Sequence, residues 1–302
     1  MKPLLDRLAQ VEKIAAANKV NRLLQHPFRY LDAVLFRKVW YPFSKKGKLR
    51  LTNTFFDAKM HILLPAGTDI YLTGGKSHDS ELRLARFLIK NLNEGDAFLD
   101  IGAHFGYFTL LAAQLVGKNG QVWAYEASKS TFAVLERNTA PFSQVKPHCL
   151  ALSDAPGTVT FYEFPVLYSE FNSMELDQFG DTSWYRKYPP VKNEIPAVTL
   201  DAIIQTQVFV PKIIKIDVEG AEDKVIQGAH KALKEHAPMV VLEYLAEARH
   251  NSAHRQAAEQ LQALGFAAGI IDQDGLWQRC EQVETHLQEQ QLDSDNVVFI
   301  KD

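Results

Sequence analysis

Residues 99–113 read LDIGAHFGYFTLLAA. An apolar strand ends at Asp100, glycines follow at 102 and 106, and a helix begins at about Tyr107. Glycine lets the backbone turn tightly and come close to a ligand. The helix N-terminus beside it favours an anionic group such as a carboxylate.

The same alternation continues on both sides. Upstream, SELRLARFLIKNL (80–92) places Leu82, Leu84, Phe87, Leu88 and Leu92 on one side of a helix that ends at Asn93-Glu94-Gly95. Downstream come a strand QVWAYEA (121–127), a helix STFAVLERNTA (130–140) and a short strand VKPHCLAL (145–152). The later pieces are a strand KIIKIDV (212–218), a helix EDKVIQGAHKALKEH (222–236), a strand MVVLEYL (239–245), a helix through Leu261 and Leu264, and strands ending in NVVFIK (296–301). Strands alternating with helices of this length predict βαβ units, hence a doubly wound α/β fold with a mostly parallel sheet. Right-handed crossovers bring the strand C-termini to one edge, where ligands bind in such sheets. Between Gly157 and Pro196 the rhythm breaks. TVTFYEF (158–164) reads as an antiparallel strand, and residues 168–190 are aromatic and polar without a period, the pattern of a lid or binding loop.

The 302 residues suffice for one large domain with an extension, divided here as 1–79 and 80–302. In the extension Leu4, Leu5, Leu8, Val11 and Ile14 recur at helical spacing, and residues 50–73 read as a small β element. Residues 1–50 hold 12 Lys/Arg against 3 Asp/Glu, leaving 21 against 33 for the rest. Phe36, Trp40, Tyr41 and Phe43 alternate there with Arg37, Lys38, Lys45 and Lys46. This suits peripheral membrane contact through residues 33–50, and equally a helix packed on its own protein or on a second subunit of a homo-oligomer. GGKS (74–77) lacks the upstream glycine of a phosphate-binding loop, so a nucleoside triphosphatase is discarded. Two cysteines, Cys149 and Cys280, build no disulfide framework or zinc site, and no signal peptide or membrane-length apolar run is seen. The expectation is a cytoplasmic protein. The acidic body opposes nucleic acid as a partner.

Two ligands compete for the glycine loop. A dinucleotide wants G-x-G-x-x-G under its pyrophosphate, whereas this loop has G-x-x-x-G and a carboxylate, Asp100, at its mouth. S-adenosyl-L-methionine is cationic and free of phosphate, so an acid suits it. Glu126 ends the second strand about 24 residues after Gly102, where an acid accepts hydrogen bonds from the ribose hydroxyls of either cofactor.

With the second half included, the chain resembles the FkbM family of methyltransferases. The matching strings are LDIGAHFGYFTL, VWAYEAS, LALSDAPGTVTFY, VTLDAII, IIKIDVEGAEDKVIQGA and VVLEYL, in family order over roughly residues 80–300. The resemblance implies a class I methyltransferase fold, a seven-stranded sheet with one antiparallel strand, and methyl transfer commonly to a hydroxyl oxygen. It also implies that Asp100, Gly102, Ala103, His104 and Gly106 line the methionine side of the cofactor. Glu126 then holds the ribose, and Ala151, Leu152 and Ser153 sit beside the adenine. The family usually has Asn where His104 stands.

Methyl transfer is an in-line displacement, so the protein positions two substrates and removes a proton. Period two puts Lys215, Asp217 and Glu219 on one side of their strand end, with Glu243 adjacent on the next strand. The assigned roles are Asp217 as base or positioner, Glu219 and Glu243 orienting substrate hydroxyls, and Lys215 keeping the carboxylates ionised. Asn172 and Ser173 are candidates for acceptor contact. A divalent metal on Asp217, Glu219, Glu222 and Glu243 is an alternative, not the expectation. The expected acceptor is a hydroxyl on a sugar, glycan precursor or other small metabolite. The competing functions are a nicotinamide-dependent oxidoreductase and a non-catalytic module retaining the pocket.

Overall fold

The computed structural model describes residues 2–17, 24, 26–176, 179, 183–207 and 209–301. Parts of the sequence-predicted N-terminal helices (18–23) and of the irregular excursion (177–178, 180–182) lie outside them.

The extension opens with a helix Lys2–Ala16, a second helix Pro27–Leu35 and a hairpin of β1 (Lys48–Asn53) and β2 (Lys59–Leu64). Helix Asp79–Asn91 follows and leads into β3 (Ala97–Ile101), the glycine loop and helix Tyr107–Val116. β4 (Gln121–Tyr125), helix Lys129–Thr139 and β5 (Val145–His148) complete the first half. A small side sheet is formed by β6 (Ala151–Leu152), β7 (Gly157–Glu163) and β8 (Val191–Val198), with β7 antiparallel to β8 as its pattern predicts. The remaining strands are β9 (Ile213–Ile216), β10 (Met239–Leu245), β11 (Phe266–Ile271), β12 (Trp277–Arg279) and β13 (Ser294–Lys301).

The main sheet has the order β12-β11-β13-β10-β9-β3-β4-β5. β9 and β10 run parallel to β3, β4 and β5, and β13 is antiparallel to both β10 and β11. Strand order reverses at the β3–β9 junction, and a crevice at such a switch point binds ligands in open α/β sheets. The glycine loop leaves β3 there and the Asp217 loop leaves β9 there. Side-chain alternation splits the core as period two requires. Phe98, Val122, Val145, Ile213 and Val241 join one apolar cluster, whereas Leu99, Ile101, Trp123, Ile214 and Ile216 join another. The extension is built into the first of these clusters: Leu8, Val11, Phe36, Tyr41, Met60 and Ile62 share it with Phe105, Tyr107 and Leu110. Buried Asn138 pins the hairpin to the site, donating to the carbonyls of His61 and Phe105 at 2.8 Å each.

Three expectations are corrected. The main sheet has eight strands rather than seven, and two of its strands run antiparallel, because β12 folds back on β11 after a turn at Gly275. VKPHCLAL is two strands in two sheets, β5 and β6. The helix over 222–236 is two, Glu222–Gln227 and His230–His236. A Cβ at Gly228, where they break, would lie 2.0 Å from the Ser153 carbonyl oxygen, so tertiary contact overrides the local period.

Candidate active site

Gly102 follows β3 with φ 79°, and its amide and that of Ala103 both donate to the Tyr125 carbonyl at 3.0 Å. Added at Gly102, a Cβ would meet the Asp217 carbonyl oxygen at 1.8 Å, so only glycine lets the two loops cross. His104 also has a left-handed φ, 51°. Its ring Nε2 lies 2.9 Å from Ser169 Oγ, and burial pulls its pKa down to about 4, so the ring is neutral. Gly106 caps helix Tyr107–Val116 in the same conformation, with Leu135 packed where a Cβ would go. It shapes the loop without lining the cavity.

Glu126, just past β4, is buried beneath this loop. One carboxylate oxygen accepts the His104 amide and the other the Ser128 amide, each at 2.8 Å. Burial outweighs those bonds and raises its pKa to about 7. Gly102, His104, Glu126, Ala151, Leu152 and Asp217 all face one cavity. Ala103 faces a smaller recess beside it.

The other predicted cofactor residues stand elsewhere. Asp100 does not line the cavity: it is 1% exposed, accepts a bond from Thr109 Oγ1 at 2.6 Å, and has Lys215 Nζ at 3.7 Å. Strand alternation turns it under helix Tyr107–Val116, and burial raises its pKa. Ser153 is buried with its hydroxyl bonded to Asp154, 2.9 Å away. Ser173 is fully buried; its hydroxyl donates to the Glu219 carbonyl and accepts the Glu175 amide, so it anchors the excursion to the Asp217 loop. Asn172 lines the cavity but spends its side-chain carbonyl on the Phe164 amide.

Lys215, Asp217, Glu219 and Glu243 do come together. Lys215 Nζ sits 2.9 Å from Asp217 Oδ2 and 5.6 Å from the centre of the Phe108 ring. Burial opposes the charge of Asp217, yet Lys215 and a hydrogen bond from Glu243 hold its carboxyl below the usual range. Burial followed by the Asp217 charge pushes Glu243 far up, and burial followed by Glu243 does the same to Glu219. The group therefore favours charge on Asp217 and opposes it on Glu219 and Glu243. Asp217, Glu219 and Glu243 offer oxygen atoms within 4.8 Å of one another, a set able to hold a hard cation. Glu222 is spent on the amides of Val218 and Gly220 and takes no part.

On the other side of Asp217 opens a second cavity of about 530 Å³, also faced by Lys76, Ser77, Glu170, Glu243 and Asn296. The sequence reading missed Lys76. It pairs with Glu81 at 2.7 Å and with Glu170 at 2.8 Å, and these acids more than offset the burial that opposes its charge. Its only signal was the GGKS string. Asp69 nearby is pushed by burial to about 7.

Residues 100–267 match the Methyltransferase FkbM domain. The chain belongs to the FkbM methyltransferase family. It is similar to hexuronic acid methyltransferase AglP of Haloferax volcanii, 25% identical over 157 residues that make up 51% of this chain and 58% of that protein. A probable cobalt-precorrin-6B C(15)-methyltransferase (decarboxylating) of Saccharolobus solfataricus is 23% identical over 150 residues, 49% of this chain and 75% of that one. Among solved structures, methyltransferase FkbM from Methylobacillus flagellatus superposes with a TM-score of 0.41 at 14% identity, covering 78% of this chain and 52% of that chain. The chain thus spans little more than half the length of two of these three proteins. The FkbM resemblance also explains itself at position 104. Asn, Asp and His tolerate a left-handed backbone better than other non-glycine side chains, and His104 has that backbone.

Proposed function

We propose that this FkbM chain transfers the methyl group of S-adenosyl-L-methionine to a hydroxyl oxygen of a sugar, glycan precursor or similar small hydroxylated molecule. The observation that carries the proposal is the position of Asp217, which faces both cavities at their junction. The residues of the first cavity fit the cofactor. Glu126 has one amide on each oxygen and keeps lone pairs for a ribose diol, while Ala151 and Leu152 give an apolar wall for the adenine. When bound, the cofactor supplies a methyl group activated by a sulfonium.

Asp217 takes the proton from the acceptor hydroxyl. A carboxylate of low basicity suffices, because the oxygen becomes strongly acidic as its bond to the methyl carbon forms. Lys215 keeps Asp217 ionised and fixes its orientation through the 2.9 Å contact. Glu219 and Glu243 orient substrate hydroxyls through their carboxyl oxygens, while the Glu243 hydrogen bond to Asp217 steadies the base. No metal is assigned, since Lys215 already neutralises the carboxylate that a dication would share. The second cavity is rich in carboxyl groups and hydroxyls, which favours a neutral polyhydroxylated acceptor over a polyanion such as nucleic acid. The Haloferax relative is named for a hexuronic acid, which supports a saccharide acceptor though that sugar carries a carboxylate.

The test is isothermal titration with S-adenosylhomocysteine and with NAD, followed by labelled methyl transfer to a panel of sugars and glycans. Micromolar binding of the first nucleoside alone is expected. Binding of NAD alone would overturn the proposal in favour of an oxidoreductase. Transfer by Asp217→Asn as fast as by the parent would remove Asp217 from the role of base.

A further inference from the structure

Of the twelve large apolar side chains that stand exposed among the described residues, seven fall within residues 24–43. Helix Pro27–Leu35 runs on through a π-helical turn, Phe36–Trp40, into a last turn, Tyr41–Ser44. The Tyr41 amide donates to the Phe36 carbonyl five residues back. That extra residue lets Phe36 and Tyr41 both face the core, alongside Ala33. Tyr41 is held by the Leu167 amide, which donates to its hydroxyl at 2.9 Å. The opposite face carries Phe28, Leu31, Leu35, Val39, Trp40 and Phe43, of which Phe28 is 85% and Phe43 87% exposed.

Charge says what this face meets. Arg37, Lys38, Lys45 and Lys46 interleave with the apolar side chains, and Asp32 is the one acid between residues 27 and 46. Asp32 is turned away to Lys48 and Arg50, at 2.8 Å from each. Arg37, Lys38 and Lys46 make no ion pair among the described residues. A second copy docked face to face would bring two cationic surfaces together with no acid to match them. We propose that the face docks on an anionic lipid bilayer. The helix lies in the headgroup plane, Phe28, Trp40 and Phe43 enter the acyl boundary, and the cations meet lipid phosphate. Arg37 also lines the second cavity, so docking brings the mouth of that cavity to the membrane surface.

The proposal is independent of the chemistry at Asp217, and its test needs no turnover. The full chain is sedimented with phosphatidylcholine vesicles and with phosphatidylcholine–phosphatidylglycerol vesicles, at low and high salt. Binding to the mixed vesicles is expected, weaker binding to phosphatidylcholine alone, and release by salt. The triple variant Phe28→Ser, Trp40→Ser, Phe43→Ser should lose roughly tenfold or more in vesicle affinity. So should Lys38→Glu, Lys45→Glu, Lys46→Glu. Both variants change exposed side chains, and an unaltered melting temperature and S-adenosylhomocysteine affinity establish that they fold. Three outcomes would overturn the proposal. They are no sedimentation with either vesicle, sedimentation that both variants retain, and a dimer in light scattering that the serine variant abolishes without any vesicle binding.

Discussion

The carbonyl oxygen of Asp217 occupies the place a Cβ of residue 102 would need, only 1.8 Å from its ideal position. The glycine loop and the Asp217 loop therefore cross in direct contact at the switch point of the sheet. Gly102→Ala must move one of them, and it must also hold alanine at a φ of 79°. The strain alone costs about 1–3 kcal/mol. The expected result is a lower melting temperature together with loss of S-adenosylhomocysteine binding, read by calorimetry. A variant that binds normally would show that the two loops can part without disturbing the cofactor site.

Asp217→Asn keeps the volume of the side chain and removes its basicity. Turnover should fall roughly 10²–10⁴-fold, the range for loss of a positioned general base. Affinity for S-adenosylhomocysteine should change only a few-fold, because Glu126 and the glycine loop are untouched. A purely structural role would instead lower stability and cofactor affinity together.

The glycine loop, Glu126 and the carboxylate group were legible because each follows from strand alternation and loop composition at one sheet edge. Asp100 was not. Period two says that it faces away from Leu99 and Ile101, but only the packed helix shows that its side of the strand is covered while the cavity opens on the other. Ser153 and Ser173 look like ligand contacts in a string, and the structure spends both on internal bonds. β12 is three residues long and mostly exposed, so it carries no apolar pattern to read. Lys76 meets Glu170 across 94 residues of chain, a pairing that no local window contains.

Glu126 gives the site a pH dependence. Its folded pKa, about 7, exceeds the ordinary 4.5, so the folded state holds a proton that the unfolded chain has lost. Stability of the unliganded protein should therefore fall as pH rises from about 4.5 to about 7. Glu126→Gln should flatten part of that slope in melts taken across the range. Ribose hydroxyls prefer the ionised carboxylate, so S-adenosylhomocysteine affinity should weaken below about pH 7, by up to roughly tenfold per unit. An affinity that strengthens with acid would assign the ribose to another group.

Asp217, Glu219 and Glu243 resemble a dication site, and Lys215 argues against its use. An ammonium already 2.9 Å from Asp217 repels a second cation and supplies the charge that one would bring. Turnover should persist in a chelating buffer and should not rise with added Mg²⁺. Inactivation by chelator, reversed by Mg²⁺, would transfer activation of the hydroxyl from Asp217 to a metal.

Lys76 ties Glu81 at the start of helix Asp79–Asn91 to Glu170 in the excursion over the cavities. Glu170 keeps about half its side chain in solvent, and the Lys76 charge outweighs its desolvation and holds it below the usual range. Its folded pKa is depressed, so the stability it contributes is present above about 4.5 and lost as pH falls through the folded value. Lys76→Met leaves Glu81, Glu170 and Asp69 facing one another without a cation. Glu81 and Glu170 both keep contact with solvent, which screens the pairs, so losing the shared cation should cost about 1 kcal/mol at neutral pH. The loss should shrink toward pH 4, where the acids take up protons, and Lys76→Met/Glu170→Gln should recover part of it. Denaturant unfolding at the two pH values decides the matter, and an equal loss at both would mean that Lys76 acts through packing rather than charge.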